Sequence, residues 1–399
     1  MTDFQRAQET ISAWFLSDEC RAMSIEDVLT QMGERLVAHG FSVSRIATSL
    51  FTAHPEIHAR EFIWKRGATT VTRNHPHRLL ESAEFLASPV AAVLGGESRI
   101  RCRLTEEKER ARFPILSELY REGATDYVIR SVRFRDGRIL GISYASDRPG
   151  GLLEAEIEGL ARLLPLAAMR MELESVVFTM TSLLSVYLGE SAAQRVSQGA
   201  FRRGTGERIE AAIWFSDLRG FTTMADARPP EEVVATLDAH FDLVSRAIAT
   251  HGGEILKFIG DAVLAIFPSS EGGVTAACRR AVAAAEQALM ETERSQAAWA
   301  EGKPPVLEVG IGLHVGQVMF GNVGGQDRLD FTVIGAAVNV ASRVASCCKA
   351  LDATLLFTSD VAAHLEGDRL VTRGQQTLRG VSGDVPLFTT EAVARTATS

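Results

Sequence analysis

The sequence predicts an α+β protein with more than one domain. Its 399 residues are enough for two or three domains of ordinary size. The 46% hydrophobic and 23% charged contents are typical of a globular protein that buries a core. Segments with strand-like alternation are interleaved with segments of helical periodicity, and turn signals separate them. This mixture is the basis for the predicted fold class.

The first part of the chain is predicted to be an independent α+β domain. In SIEDVLTQMGERLVAHG a helix begins after Ser24, with Asp27 completing a capping box, and ends before Gly40. FSVSRIATSLFT and HAREFIWKRG are predicted strands, and Gly137 marks a hairpin turn between DYVIRSVRF and ILGISYAS. A long helix over LLEAEIEGLARLLPLAAMRMELE closes this domain.

A helical connector is predicted to follow this domain. Its apolar residues alternate spacings of four and three, the a/d pattern of a parallel coiled coil: Leu173, Val177, Met180, Leu184 and Tyr187. Two heptads also fit an amphipathic helix that packs on its own chain, and both interpretations stay open. The predicted divisions are residues 1–170, 171–204 and 205–393.

Two aspartates in the last part of the chain are candidate metal ligands. Asp217 follows the apolar strand AAIWF, and Asp261 lies in a turn between two short strands of GGEILKFIGDAVLAIF. Carboxylates suit hard divalent cations such as Mg²⁺, which proteins hold with a few carboxylates together with substrate phosphates. Further on, DFTVIGAAVNVASRV places Asn339 and Arg343 four residues apart, on one face of a helix.

These stretches resemble the class III adenylyl cyclases over about residues 180–390. The resemblance implies a ferredoxin-like βαββαβ catalytic domain that works as a homodimer with active sites at the subunit interface. It also implies conversion of ATP to 3′,5′-cyclic AMP and pyrophosphate with two Mg²⁺ or Mn²⁺ ions per site, held by Asp217 and Asp261. The order of elements in the N-terminal part resembles the GAF/PAS group of sensor domains, which implies regulation by a small-molecule effector of unknown identity.

The same resemblance implies roles for the remaining candidate residues. Lys257 and Thr332 would read the purine, Asn339 would orient the ribose, and Arg343 would stabilise charge on the α-phosphate. The ammonium of Lys257 can donate to the acceptor N1 of adenine, which makes it the stronger of the two specificity signals. Arg379, in LRGVSGDVPLF, stands where many relatives have a phosphate-binding lysine.

Two alternative functions compete with that of an adenylyl cyclase. A guanylyl cyclase would carry an acidic residue at the position of Lys257. A catalytically inactive, nucleotide-binding regulatory homologue would first lose a metal-binding aspartate or the catalytic arginine, and this chain keeps Asp217, Asp261 and Arg343.

Composition limits which partners the protein is expected to bind and which cellular compartment it is expected to occupy. A net charge of −8 disfavours nucleic acid as a partner. Five scattered cysteines without a CxxC pattern favour reduced thiols in the cytoplasm. No signal peptide is visible, and the most apolar stretch is interrupted by Arg162, Pro165 and Arg170, short of the ~20 residues of a membrane span. A cytoplasmic protein without a membrane segment is therefore expected.

Overall fold

A computed structural model of the protein describes residues 3–200, 202–270, 272–297, 307–365 and 369–396. The chain divides into two compact units, Met1–Val186 and Tyr187–Ser399. The α+β class predicted from the sequence is confirmed, because each unit combines one sheet with several helices.

The N-terminal unit is built on a six-stranded antiparallel sheet with strand order β3-β2-β1-β6-β5-β4. Its strands are β1 (Arg45–Phe51), β2 (Ile57–Lys65), β3 (Val71–Pro76), β4 (Arg99–Arg103), β5 (Asp126–Arg133) and β6 (Ile139–Ser146). The predicted hairpin joins β5 to β6, and Gly137 adopts the positive φ of +92° that its turn needs.

Helices cover both faces of this sheet. They are α1 (Asp3–Phe15), α2 (Asp18–Ala22), α3 (Ile25–Ala38), α4 (Ala83–Leu86), α5 (Pro89–Leu94), α6 (Glu107–Arg110), α7 (Pro114–Arg121) and α8 (Glu154–Leu188), with a 3₁₀ turn at His77–Glu81. The capping box predicted at Ser24 begins α3, since the Ser24 hydroxyl accepts a hydrogen bond from the Asp27 N–H at 3.1 Å. One core joins the sheet to α1, α3 and α8, and a second joins the opposite face to α5 and α7.

The chain divides within helix α8 at a different position from the predicted one. The helix runs without interruption through residue 170, where the first domain was expected to end, and the two units divide after Val186 instead. The physical reason is continuous burial of one face, since Leu160, Leu163 and Met171 all belong to the N-terminal core. The predicted connector is therefore the second half of a domain helix followed by α9 (Glu190–Ser197).

The apolar character of α8 bears on the expectation that the chain has no membrane segment, which stays a prediction. By length and composition alone, α8 is a candidate membrane-spanning helix, and only 17% of its most apolar window is buried. The residues expected to interrupt the apolar stretch, Arg162, Pro165 and Arg170, all lie in its first half. Length and composition therefore do not exclude a membrane segment here.

The C-terminal unit contains an eight-stranded sheet with order β13-β14-β12-β10-β7-β9-β8, and β11 pairs with β10 outside that path. Its strands are β7 (Gly206–Leu218), β8 (Glu254–Ile259), β9 (Ala262–Pro268), β10 (Val309–Gly324), β11 (Leu329–Ile334), β12 (Leu355–Thr358), β13 (Leu370–Thr377) and β14 (Asp384–Thr390). Strands β10 and β12 are parallel, and the other neighbours are antiparallel.

The helices of this unit complete a ferredoxin-like arrangement. They are α9, α10 (Phe221–Ala227), α11 (Pro230–Thr250), α12 (Gly273–Ala297), α13 (Ala336–Ala350), α14 (Ser359–Ala362) and α15 (Glu391–Thr396). The order β7-α11-β8-β9-α12-β10 is βαββαβ, and these four strands lie in the sheet as β10-β7-β9-β8. Helices α11 and α12 pack on one face, while α9 and α13 pack on the other. The predicted βαββαβ domain is confirmed.

Candidate active site

Two carboxylates meet at one end of the central strands. Asp217 is the penultimate residue of β7, and Ser216 beside it pairs with Val263 of β9. Asp261 lies in the two-residue turn between β8 and β9, where Gly260 takes a φ of +64° that only glycine adopts without strain. This turn brings the Asp261 carboxyl group within hydrogen-bond reach of Asp217.

The pair is electrostatically strained. The pKa of Asp217 is raised to about 6, first because neighbouring protein removes water from its carboxyl group and then because Asp261 lies beside it. Two adjacent carboxylates repel each other, so a proton or a cation shared between them is favoured.

The donor set fits Mg²⁺ or Mn²⁺. Two carboxylates supply hard oxygen ligands, and a divalent cation would relieve the repulsion that raises the pKa of Asp217. Within the part of the chain that the structure describes, no group of three or more His, Cys, Asp or Glu side chains is arranged for a metal ion. The protein therefore offers an incomplete shell, which suits ions bound together with substrate phosphates.

Lys257 lies on β8, where it forms an ion pair. Its Nζ is 2.7 Å from Oδ2 of Asp330 on β11, and both side chains remain partly exposed to solvent. This contact lowers the pKa of Asp330, chiefly through the hydrogen bond from Lys257. Thr332 is two residues beyond Asp330, so both side chains lie on the same face of β11. The ion pair between β8 and β11 thus brings Lys257 and the strand of Thr332 together, as a shared purine site would require.

Asp330 is a residue that the sequence analysis missed. Its charge is opposite to that of Lys257, and it shares a strand face with Thr332. The two-residue spacing between Asp330 and Thr332 was the sequence signal that could have identified it. Its carboxylate holds the ammonium of Lys257 in place and leaves further donor capacity for a ligand, since an ammonium has three N–H groups.

Asn339 and Arg343 lie on α13, and both side chains are exposed. No hydrogen bond or ion pair from either side chain is present among the described residues, so their donors are available to a ligand. Helix α13 packs unusually close to β10, because a Cβ at Gly312 would lie 2.2 Å from the backbone nitrogen of Ala345. Glycine at this position is what sets the height of the helix above the sheet.

Arg379 stands apart from the other candidates. It lies in the exposed turn between β13 and β14, with no side-chain partner in the described ranges. Among the described residues, no hydrogen bond or ion pair joins it to Asp217 or Lys257. Its phosphate-binding role stays a prediction.

The candidate residues form separate groups within one chain. On β10, Gly310 pairs with Asp217, whereas Gly321 pairs with Thr332, eleven positions further along the strand. In the described residues, no hydrogen bond or ion pair joins the aspartate pair to Lys257, Thr332, Asn339 or Arg343.

Comparison with known proteins identifies the C-terminal unit. Residues 206–391 match the family model described as adenylate and guanylate cyclase catalytic domain. These residues are similar to the catalytic domains of adenylate and guanylate cyclases. The match starts at the first residue of β7 and ends at the first residue of α15, so the cyclase domain coincides with the eight-stranded sheet and its helices.

Curated relatives of the cyclase domain include two bacterial adenylate cyclases. An adenylate cyclase of Anabaena cylindrica is 38% identical over 164 residues, which is 41% of this chain and 32% of that protein. Adenylate cyclase 1 of Rhizobium meliloti (strain 1021) is 35% identical over 178 residues, 44% of this chain and 26% of that protein. The matched region thus spans about a third or less of each relative's length.

A solved structure supports the fold. The structure of a bacterial light-regulated adenylyl cyclase matches 66% of this chain and 86% of that chain, with a TM-score of 0.50. Because the two are only 20% identical, this likeness concerns the fold alone.

Proposed function

We propose that this protein is an adenylate cyclase that converts ATP to 3′,5′-cyclic AMP and pyrophosphate. The observation that carries the proposal is the pairing of Asp217 and Asp261 at the end of β7 within a class III cyclase domain. The named adenylate cyclases among its relatives support the same reaction.

Each residue has a chemical part in the proposed reaction. Asp217 and Asp261 would hold two Mg²⁺ or Mn²⁺ ions, which supply charge neutralisation of the triphosphate and acidification of the ribose 3′-hydroxyl. Asn339 would orient the ribose so that its 3′-oxygen lies in line with the bond from the α-phosphorus to the departing pyrophosphate. The guanidinium of Arg343 would stabilise the charge that develops on the α-phosphate, and Arg379 would contact the phosphates.

Lys257 supports ATP over GTP as substrate. Its ammonium can donate to N1 of adenine, which is an acceptor, whereas N1 of guanine carries a proton. Asp330 orients this ammonium at 2.7 Å, and the Thr332 hydroxyl can accept from the adenine amino group.

A homodimer with shared sites is the second part of the proposal. One chain keeps the aspartate pair and the Lys257–Asp330 pair as separate groups, so a complete site would take Asp217 and Asp261 from one subunit and the nucleotide-binding residues from its partner. Exposed apolar side chains surround the β8–β9 turn and the β10–β11 hairpin, as an interface requires: Phe258, Ile259, Met319, Val323 and Ile334.

The proposal includes regulation by the N-terminal unit and action in the cytoplasm. Helix α8 continues from that unit to Leu188, and the single non-helical residue Gly189 separates it from α9, which packs in the cyclase domain. The covalent link is therefore helical except at Gly189. The cysteines are all free thiols, as expected in a reducing compartment that contains ATP.

Turnover by the purified full chain tests the proposed activity. We expect cyclic AMP from ATP in the presence of Mg²⁺ or Mn²⁺, loss of product after chelation, and recovery when the metal is restored. Product is identified by chromatography and mass spectrometry, with GTP in a parallel reaction. Preference for GTP would establish a guanylate cyclase, and no product from either nucleotide would establish an inactive homologue.

A further inference from the structure

A cavity of about 380 Å³ lies on the face of the N-terminal sheet that packs against α5 and α7. Strands β1, β2, β5 and β6 form its floor, and the segments at residues 79–90 and 114–118 form its walls. This volume lies in the range of small-molecule sites in proteins. The cavity belongs entirely to the N-terminal unit and is independent of the cyclase domain.

Arg45 gives this cavity its charge. It is the first residue of β1, its side chain is mostly buried, and it lines the cavity. Among the residues that the structure describes, Arg45 has no side-chain hydrogen bond and no ion pair. Burial lowers the pKa of its guanidinium, because loss of water disfavours the charged form, and the nearby Tyr127, Glu61 and Glu122 oppose this shift.

The two carboxylates whose charges act on Arg45 are engaged elsewhere. Glu61 pairs with Nε2 of His75 at 3.1 Å, and Glu122 pairs with Nζ of Lys65 at 2.7 Å. A buried guanidinium that no carboxylate contacts is unfavourable, so an anion from outside would stabilise it.

The remaining lining includes exposed carboxylates, neutral polar groups and apolar surface. Glu84 and Glu118 supply the exposed carboxylates. The Tyr127 hydroxyl is hydrogen-bonded to Ser143, whose own hydroxyl donates to the carbonyl of Ala47 at 3.2 Å. The cavity is also lined by the apolar side chains of Phe51, Phe85, Val90, Ile115 and Ile129. The buried Arg45 therefore suits an anion, and the apolar lining suits an apolar body.

We propose that this cavity binds a small organic carboxylate with an aromatic or aliphatic body, held by an ion pair between its carboxylate and the Arg45 guanidinium. A guanidinium fork binds both carboxylate oxygens at once, which fixes the orientation of the ligand. The apolar body replaces water against the hydrophobic wall and supplies the rest of the affinity.

Binding of 3-phenylpropionate to the full chain, measured by isothermal titration calorimetry, tests this site. The neutral 3-phenylpropanamide has the same body without the charge, and acetate and inorganic phosphate have charge without the body. We expect saturable binding of 3-phenylpropionate and a Kd weaker by about tenfold or more for each of the other three.

Three variants separate the ion pair from the cavity. Arg45→Gln removes the charge, and Ser49→Leu fills the cavity from β1 while keeping Arg45. Both should weaken binding of 3-phenylpropionate by about tenfold or more. Arg121→Gln, at the exposed end of α7 and outside the cavity, is the matched control and should bind as the wild type does.

Thermal unfolding tests whether each variant is folded. If Arg45→Gln does not fold, Ser49→Leu still tests whether the ligand occupies the cavity. Equal binding of the amide, or unchanged binding by Arg45→Gln, would overturn the ion pair. Binding of phosphate as tight as that of 3-phenylpropionate would show a general anion site instead, and no binding of 3-phenylpropionate would overturn the proposal. Binding is measured directly, so none of these outcomes depends on cyclase activity.

Discussion

Catalysis at the residue scale depends first on the carboxyl groups of Asp217 and Asp261. Asp217→Ala or Asp261→Ala should reduce turnover to at most a few per cent of wild type, because each removes a ligand for the metal ions. The fold should persist, since both side chains lie at the ends of strands and outside the buried core. Cyclic AMP production and the melting temperature are the measurements.

Glu293→Ala supplies the control for the aspartate variants. Glu293 is exposed on α12, and its carboxylate has no recorded contact with the aspartate pair. This variant should keep wild-type turnover. An aspartate variant that retains substantial activity with Mg²⁺ or Mn²⁺ would contradict the two-metal assignment.

Lys257 sets the choice of purine in our proposal. Lys257→Glu should depress turnover of ATP far more than turnover of GTP, because the carboxylate can accept from guanine but cannot donate to N1 of adenine. It also places a second carboxylate beside Asp330, so some general loss of activity is expected. The ratio of kcat/KM for the two nucleotides is the decisive measurement.

The matched charge reversal Lys108→Glu, in the exposed helix α6 of the N-terminal unit, should leave that ratio unchanged. Equal losses for ATP and GTP in Lys257→Glu would mean that Lys257 supports β8 and does not read the base.

At the scale of elements, the packing of α13 on β10 positions Asn339 and Arg343. A Cβ at Gly312 would lie 2.2 Å from the Ala345 nitrogen and 2.6 Å from the Ala341 oxygen, both backbone atoms. Gly312→Ala should therefore push the helix away and lower the free energy of unfolding by about 3 kcal/mol. Turnover should fall as well, because misplaced catalytic groups lose rate steeply.

Gly325→Ala is the control for this packing argument. A Cβ there meets no atom within 4 Å, so stability and turnover should be unchanged. Chemical denaturation of both variants gives the comparison. Equal stability of Gly312→Ala and wild type would show that α13 has room to shift without cost.

At the scale of the whole molecule, shared sites predict complementation between two inactive variants. Asp217→Ala keeps Lys257, Asn339 and Arg343, whereas Arg343→Ala keeps both aspartates. A mixed dimer therefore has one complete site and one doubly damaged site. Random exchange makes about half of the dimers mixed, so activity should approach about a quarter of wild type.

Differently tagged chains verify that exchange has occurred in this mixing experiment. Each variant alone, at the same total concentration, provides the baseline. Absence of recovery in a verified mixture would contradict active sites that draw on both subunits.

Helix α8 is the proposed route of regulation between the units. Its a/d residues Leu173, Val177 and Met180 are about half exposed, and Tyr187 is 80% exposed, so the stripe is available to a partner helix. One residue inserted after Thr181 rotates the following helix by about 100° and should change turnover at saturating ATP. Insertion of one heptad shifts the face by only about 20° and should preserve turnover.

Light scattering measures the dimer content of both insertion variants, which must be equal before their turnover is compared. Unchanged turnover in the one-residue variant would show that the N-terminal unit acts only as a tether or as an aid to dimerisation.

The sequence by itself determined the local structure and the chemistry-bearing residues. The capping box at Ser24, the hairpin at Gly137 and the turn at Gly260 depend on residues close together in the chain, so local propensity and turn geometry predict them. The βαββαβ fold followed from the resemblance, which rests on continuous motifs around Asp217, Asp261 and Asn339.

Only the tertiary structure decided which distant residues meet. The ion pair of Lys257 with Asp330, the contact of Asp217 with Asp261 and the close approach of α13 to Gly312 each depend on strand register and helix packing. The unpaired guanidinium of Arg45 also became visible only when the sheet and its helices enclosed a cavity. A sequence pattern indicates which face a side chain occupies, but the partner on that face is set by contacts between segments far apart in the chain.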